Sequence, residues 1–215
     1  MNAVNAPRAW NRACRELAGR DKVMAELIER HPGDKLRGSG DGFRTLVNAI
    51  VGQQISVAAA SAIWDRLRGQ HQHLRPQDIA LSSPEALRAI GLSRRKAEYL
   101  MEIARAFHQG ELDPADWNTM SDEEIRSELM RLRGVGRWTA DMVLIFHLYR
   151  PDVLPIGDLG LVNSAARLYG NGSASGAPLR ERQDWLRSYA EHWRPWRTVA
   201  TWFIWLHLDA DPVVY

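Results

Sequence analysis

Residues 132–144 read LRGVGRWTADMVL: two glycines flank one valine, an arginine and a tryptophan follow, and then an apolar run begins. The helical pattern of residues 121–132 ends at Gly134, and a second helical pattern begins after Gly136. A connection of only a few residues between two helices needs positive φ or a backbone without a Cβ, and glycine supplies both. The sequence therefore predicts two helices joined by a tight hairpin, a helix–hairpin–helix.

The start of the second helix is a candidate anion site. Its first backbone N–H groups have no partners within the helix, and the positive end of the helix dipole lies there. Such a helix start suits a phosphate group. The residues predicted to bind the phosphate are Gly134, Gly136, Arg137 and Thr139. A tight turn that only packs two helices together is the alternative.

The rest of the chain also has helical rather than strand patterns. Apolar residues recur at helical spacing, and no sustained alternation of period two is bounded by turn residues. We therefore expect an all-α fold with two helical lobes. The central lobe is expected at 44–150 and contains the hairpin, while 1–43 and 151–215 together form the second lobe. The active-site cleft is expected between the lobes.

The composition allows a nucleic-acid partner without demanding one. The 215 residues are 45% hydrophobic, which suffices for a core, and the formal net charge is only +2. The charge is uneven, because residues 88–105 are basic and residues 111–128 are strongly acidic. A basic face of this kind can bind a polyanion, although two solvated helix faces would give the same pattern.

Cysteine content and hydropathy exclude several other classes. The single cysteine, Cys14, excludes an intrachain disulfide, and also an iron–sulfur or zinc site built from several cysteines of one chain. No window approaches the roughly 18 apolar residues of a membrane span, and the first residues lack the apolar core of a signal peptide. We expect a soluble protein with no membrane partner, located in the cytoplasm and, in a bacterium, associated with the nucleoid.

The hairpin stretch, taken with DVLPIGDLGL at 152–161, resembles the helix–hairpin–helix DNA glycosylases, and in particular the 3-methyladenine DNA glycosylase II group. FRTLVNAIVGQQISVAAASAIWDRL at 43–67 is similar to the lesion-wedge region of that group. WRPWRTVATWFIWLHL at 193–208 is similar to its final helix. The resemblance covers roughly residues 43–209.

Asp158 matches the catalytic carboxylate of this group. It follows Pro155, Ile156 and Gly157 at the start of a helical pattern, where an ordinary N-cap is the alternative interpretation. Cleavage of a C–N glycosidic bond builds positive charge on the sugar, and a nearby carboxylate stabilises that charge or positions water. The group often has a second acidic residue just before the catalytic one, and here that residue is Gly157.

The resemblance also implies a pocket for the flipped base, formed by Trp138, Trp205 and Met142. Members that also cut the DNA backbone carry a lysine at the position of Trp138, which forms a Schiff base with the sugar. An indole cannot do this, so the resemblance implies a monofunctional enzyme. Aromatic rings favour a positively charged alkylated purine. Core packing is the alternative for both tryptophans. We expect the nearest lysine, Lys96, at the surface.

Two further roles rest on the resemblance alone. Within Gly52-Gln53-Gln54-Ile55-Ser56, Gln54 matches the side chain that fills the gap left by the flipped base, with a plain polar break between helices as the alternative. The backbone carbonyls of Met130, Leu132 and Val135 match those that hold a structural Na⁺ or K⁺ at the hairpin. We expect no other cofactor.

These residues together predict a monofunctional DNA glycosylase. It would excise alkylated purines of the 3-methyladenine and 7-methylguanine type in base excision repair and leave an abasic site. Its partner would be double-stranded DNA containing alkylated bases, bound by a monomer. The alternatives are a non-catalytic DNA-binding module, or a glycosylase for another lesion such as uracil or oxidised guanine.

Overall fold

The computed structural model describes residues 4–5, 9–170 and 176–208. Within these residues the chain is mostly helical, which confirms the predicted all-α class. The α-helices are Trp10–Arg20 (α1), Lys22–Arg30 (α2), Gly42–Gly52 (α3), Val57–Gln70 (α4), Pro76–Ala80 (α5), Pro84–Ala89 (α6), Arg94–His108 (α7), Asp122–Leu129 (α8), Arg137–Phe146 (α9), Leu159–Tyr169 (α10), Leu179–Tyr189 (α11) and Arg197–Leu208 (α12). Two 3₁₀ turns lie at Asp116–Asn118 and Ala190–Trp193.

A short strand pair was not predicted. Val4–Asn5 (β1) pairs antiparallel with Arg37–Gly38 (β2), so that Val4 faces Gly38 and Asn5 faces Arg37. Each strand has only two residues. A segment of this length is too short to show the alternation of apolar and polar residues that reveals strands in a sequence.

Serine side chains define where several helices begin. Ser121 accepts a hydrogen bond from the Glu124 N–H, and the Glu124 carboxylate accepts one from the Ser121 N–H at 2.7 Å, which forms a capping box. Ser83 caps α6 just before Pro84, at the first helical position. Ser56 and Ser93 cap α4 and α7 in the same way. These local signals determine where α4, α6, α7 and α8 begin.

The described chain forms two compact units. One joins the residues up to Gly38 with those from Tyr149 onward, and the other spans Ser39–Leu148. The sequence prediction placed these boundaries at 43/44 and 150/151. The parts of the predicted lobes at 1–3, 6–8, 171–175 and 209–215 lie outside the described residues.

The unit that spans Ser39–Leu148 has α3 and α9 at its centre. Nearly every residue of α3 is buried, and so are all residues of α9 from Thr139 to Phe146. The two helices pack against each other, and α3 also packs against α4 and α7. A helix that is apolar on all sides is stable only when other elements surround it. The hairpin therefore leads directly into the core of this unit.

The other unit is built around α12. Its residues from Thr198 to Ile204 are buried, and it packs against α2 and α10. Asp21 is also buried here, and its carboxylate accepts hydrogen bonds from the Trp193 indole at 2.9 Å and the Tyr169 hydroxyl at 3.0 Å. A buried charge is tolerated when such donors surround it. These contacts support the helix α10, which carries Asp158 at its start.

Candidate active site and DNA-binding elements

The hairpin between α8 and α9 depends on Gly134. Its φ is +84°, in the left-handed region that side chains disfavour. A Cβ at this position would also overlap the ring of Tyr99 on α7. Both the backbone conformation and the packing therefore require glycine here, and the hairpin rests directly on α7.

Gly136 differs from Gly134. Its φ is −101°, which any residue adopts, and a Cβ built there would meet no atom within 4 Å. It occupies the N-cap of α9, where a residue without a side chain provides no capping hydrogen bond. The structure of the turn explains the first glycine but not the second. This corrects the expectation that both glycines supply the turn conformation.

Arg137 has an acidic partner within its own unit. Its guanidinium donates to both carboxylate oxygens of Glu123 on α8, at 2.8 and 3.3 Å. Hydrogen bonding to Arg137 holds the pKa of Glu123 below its usual range. A phosphate that contacts Arg137 would therefore compete with Glu123 for the guanidinium.

A buried ion pair joins the two helices of the hairpin. Arg126 of α8 donates to Asp141 of α9 at 2.7 Å and to Glu123 at 2.7 Å. Burial raises the pKa of Asp141 to about 6, against the opposing effect of Arg126. Removal of one partner of a buried pair leaves an uncompensated charge, so the pair holds α8 and α9 in one arrangement.

Thr139 lies inside the unit rather than on its surface. Its side chain is buried, and its hydroxyl accepts a hydrogen bond from the Gln53 Nε2 at 2.8 Å. Sequence analysis predicted that Thr139 binds phosphate. Because this side chain is buried, the group that Thr139 can offer to a phosphate is its backbone N–H in the first turn of α9.

Trp138 and Met142 differ in exposure. Trp138 is the second residue of α9 and is half-buried, whereas Met142, one turn further along, is only 1% exposed. Residues four apart lie on the same side of a helix. Because Trp138 is only half-buried, part of this residue remains accessible to a ligand. Met142, which was predicted to line the same pocket, lies in the core.

The loop between α3 and α4 presents Gln54. Its φ is +57°, and its side chain is exposed. Two apolar side chains of the same segment are also exposed, Ile55 by 38% and Val57 by 43%. The sequence prediction named Gln54 alone, although the apolar Ile55 directly after it was a visible signal.

Sequence analysis also missed Gln53 and misplaced Lys96. Besides its contact with Thr139, Gln53 Nε2 donates to the carbonyl of Gly134 at 2.9 Å. Lys96 was expected at the surface, but it is half-buried and donates to the carbonyls of Val51 at 2.8 Å and Gln53 at 2.7 Å. Burial lowers the pKa of Lys96. No local signal reveals these contacts, because the partners lie far apart in the sequence.

In the other unit, Asp158 is the N-cap of α10. Its carboxylate accepts the Leu161 N–H at 2.7 Å, and its own N–H donates to the carbonyl of Pro155 at 2.8 Å. Gln183 of α11 holds the same loop by a 3.0 Å hydrogen bond to the carbonyl of Ile156. Asp158 as a whole is half-buried. The N-cap interpretation is therefore correct, and the cap fixes the carboxylate at the helix start.

Apolar side chains border this carboxylate. A Cβ at Gly160 would lie 3.2 Å from Asp158 Oδ1 and 3.2 Å from Leu208 Cδ1, so Leu208 and the carboxylate flank the same small residue. Leu208 is 44% exposed and Leu159 is 55% exposed. Trp205 lies one turn before Leu208 on α12 and is half-buried. The surroundings of Asp158 thus include surface suited to an apolar or aromatic ligand.

The predicted cation ligands lie at the end of α8. Met130 is the C-cap of that helix, and Leu132 and Val135 belong to the hairpin, where the Val135 N–H donates to the carbonyl of Leu132 at 3.2 Å. In the described part of the chain, His, Cys, Asp and Glu form no group suited to a metal ion. No helix among the described residues has the length and apolar character to cross a membrane.

Comparison with known proteins identifies the family. Residues 47–187 match the HhH-GPD superfamily of base excision DNA repair proteins. The chain is 30% identical over 188 residues to DNA-3-methyladenine glycosylase 1 of Schizosaccharomyces pombe, covering 86% of this chain and 80% of that protein. It is 32% identical to DNA-3-methyladenine glycosylase 2 of Escherichia coli, covering 85% of this chain and 64% of that protein.

Solved structures agree with these relatives. The S. pombe 3-methyladenine DNA glycosylase in complex with abasic DNA superposes with a TM-score of 0.79 at 29% identity, covering 91% of this chain and 95% of that one. A DNA-3-methyladenine glycosidase from Bacillus halodurans superposes with a TM-score of 0.73 at 30% identity, covering 97% and 93%. The resemblance drawn from the hairpin and the Asp158 loop is confirmed. The chain belongs to the HhH-GPD superfamily of base excision DNA repair proteins.

Proposed function

We propose that this protein is a monofunctional DNA glycosylase that excises alkylated purines and leaves an abasic site. The observation that carries the proposal is the placement of Asp158. Its carboxylate is fixed by the Leu161 N–H at the start of α10 and is bordered by the exposed side chains of Leu159 and Leu208. The names of the relatives, which are 3-methyladenine glycosylases, support the substrate class.

Asp158 would act on the deoxyribose. As the C–N bond lengthens, positive charge develops on the sugar, and a fixed carboxylate stabilises that charge more than the uncharged ground state. The bonding electrons leave with the base, water then adds to the sugar C1′, and the proton that this water loses passes to the solvent. A cationic alkylated purine departs as a neutral base, so the enzyme needs no strong general acid. This explains how one carboxylate suffices.

The aromatic residues would stack on the flipped base, and no lysine amine of the protein would attack the sugar. Trp138 and Trp205 are each only half-buried, and their rings would stack on a flipped cationic purine. The position that would carry a Schiff-base lysine is Trp138. Lys96 donates to the carbonyls of Val51 and Gln53, which occupies its amine in a structural role. The products are then a free base and an intact strand with an abasic site.

DNA would be bound through its phosphates and held open by Gln54. The first amides of α9 begin at Gly136, which has no side chain to obstruct a phosphate. Such contacts carry no sequence information, so binding would be salt-dependent and not sequence-specific. The partner would be double-stranded DNA that contains alkylated bases, bound by a monomer in the cytoplasm or nucleoid.

A structural Na⁺ or K⁺ fits the hairpin. Backbone carbonyl oxygens are suitable ligands for a monovalent cation, and the negative end of the α8 dipole lies nearby. Met130, at the C-cap of that helix, together with Leu132 and Val135, would provide the oxygens. The cation would stabilise the turn and take no part in bond cleavage.

Base release from matched duplexes tests the proposal. We expect release of 7-methylguanine and 3-methyladenine, and much slower release of uracil or 8-oxoguanine. Borohydride treatment during the reaction should trap no covalent enzyme–DNA adduct. Release of no base from any duplex would identify a DNA-binding module, and equal release of uracil and 7-methylguanine would refute the preference for cationic purines.

A further inference from the structure

The segment Gln53–Ser56, here called the wedge loop, is tied to the hairpin by one side chain. The amide nitrogen of Gln53 has two hydrogens and donates to two acceptors, the Gly134 carbonyl at 2.9 Å and the Thr139 hydroxyl at 2.8 Å. One acceptor belongs to the hairpin turn and the other to the first turn of α9. Gln53 therefore joins the wedge loop to both parts of the proposed phosphate site.

A second side chain holds the base of the same loop. Helix α3 ends at Gly52, and the last carbonyls of a helix have no partners within it. The Lys96 ammonium donates to two of the carbonyls there, those of Val51 at 2.8 Å and Gln53 at 2.7 Å. The main chain and the side chain of Gln53 are thus both fixed.

The residue after this anchor has an unfavourable backbone. Gln54 adopts φ of +57°, and for a residue other than glycine this conformation costs about 1–2 kcal/mol. Strain of this kind persists only where the surrounding structure enforces it, and it concentrates at functional sites. Here the contacts of Gln53 fix the residue immediately before Gln54. They determine where the exposed Gln54 side chain projects.

We infer that Gln53 is a positioning residue that couples phosphate binding at the hairpin to insertion of Gln54 into the duplex. The inference rests on the proposed function of the hairpin and of Gln54. When the amides of α9 bind a backbone phosphate, the two hydrogen bonds of Gln53 set the position of the wedge loop relative to that phosphate. Without them the protein still binds the duplex, but Gln54 enters less often.

The experiment separates insertion from binding. The duplex contains a tetrahydrofuran abasic-site analogue with 2-aminopurine in the adjacent position, and unstacking of the 2-aminopurine by Gln54 raises its fluorescence. Gln53→Met keeps the length of the side chain but removes both donors. Loss of two hydrogen bonds should lower the inserted fraction by about tenfold, whereas the Kd for an undamaged duplex should change by less than about twofold.

Two further variants make the outcome specific. Gln70→Ala changes an exposed glutamine at the far end of α4, and it should give the full signal. Thr139→Val removes one of the two acceptors while keeping the shape of the residue. If both changes act through the same contact, the double variant should lose no more signal than Gln53→Met alone.

Insertion by Gln53→Met at the wild-type level would overturn the inference. A fall in duplex affinity equal to the fall in insertion would also overturn it, because Gln53 would then only maintain the fold. The abasic analogue contains no base to release, so the result does not depend on catalysis. Failure of the proposed function would instead be seen as absence of 7-methylguanine release by the wild-type protein.

Discussion

Helices α9 and α10 begin in opposite ways. The N-cap of α9 is Gly136, which has no side chain, so no side chain caps its first turn. The N-cap of α10 is Asp158, whose carboxylate accepts the Leu161 N–H at 2.7 Å. The same position in the two helices therefore either leaves the N-terminus open to an external anion or occupies it with an anion of the protein.

This difference shows how one local motif can serve two tasks. A phosphate-binding helix start needs bare amides, whereas a catalytic helix start needs a carboxylate that is held still. In the proposed function, Gly136 would meet the first requirement and Asp158 the second, with a single residue each. The following variants exchange or weaken these features, from the largest expected effect to the smallest.

Asp158→Asn should have the largest effect, because it removes the negative charge at the start of α10 but keeps the cap. Asparagine caps a helix as well as aspartate does, so the fold should persist. Single-turnover release of 7-methylguanine should fall on the order of 1,000-fold. Affinity for the duplex should stay the same or increase, since a charge that repels phosphates is lost.

Asp41→Asn is the matched control for this change. Asp41 caps α3 in the same geometry, by accepting the Arg44 N–H at 3.0 Å. The rate at which Asp41→Asn releases 7-methylguanine should equal that of the wild-type protein. Rapid base release by Asp158→Asn would show that another residue stabilises the sugar cation.

Gly134→Ala should destabilise the hairpin. The left-handed backbone and the overlap with Tyr99 together should lower the free energy of unfolding by about 2–5 kcal/mol. Thermal unfolding followed by circular dichroism would measure this as a lower Tm. A Tm equal to that of the wild-type protein would mean that neither the left-handed backbone nor the overlap with Tyr99 carries a cost in stability.

Gly136→Ala should act on binding rather than on folding. Alanine adopts the same backbone conformation without a clash, and as an N-cap it should cost less than about 1 kcal/mol of stability. Its methyl group would hold a phosphate away from the α9 amides. Fluorescence anisotropy should then show about tenfold weaker binding to a duplex. Unchanged binding would place the phosphate contacts outside this helix start.

Glu123→Gln should strengthen binding slightly. It releases Arg137 from its acidic partner, while Arg126 keeps Asp141. The affinity for a duplex at low salt should rise by about threefold, and its salt dependence should become steeper. Glu111→Gln makes the same charge change at an exposed residue of the same unit and should have a smaller effect. Equal effects of the two variants would show that the stronger binding comes from the change in net charge and not from the release of Arg137.

Sequence reasoning succeeded where the determining interactions are local. The start of α8 after Ser121 and the start of α9 after Gly136 each depend on residues within one turn. Glycine, proline and serine leave direct marks of such features in a sequence. Asp158 at the start of α10 belongs to the same class.

Prediction from the sequence failed where the partner of a side chain lies far away along the chain. The burial of Thr139 follows from the packing of α9 against α3, and the role of Gln53 follows from a contact with Gly134. The half-buried position of Lys96 depends on the end of α3. No pattern within a short window contains these partners, so only the folded chain reveals them.

The contact between Gly134 and Tyr99 has a consequence for the evolution of this family. Because a Cβ at 134 would overlap the Tyr99 ring, the two positions share one volume. A relative that carries a larger residue at the position of Gly134 must carry a smaller one at the position of Tyr99, or else have a displaced hairpin. These two positions should therefore covary among homologous sequences. The combined size of the two residues should correlate with the distance between the hairpin and α7.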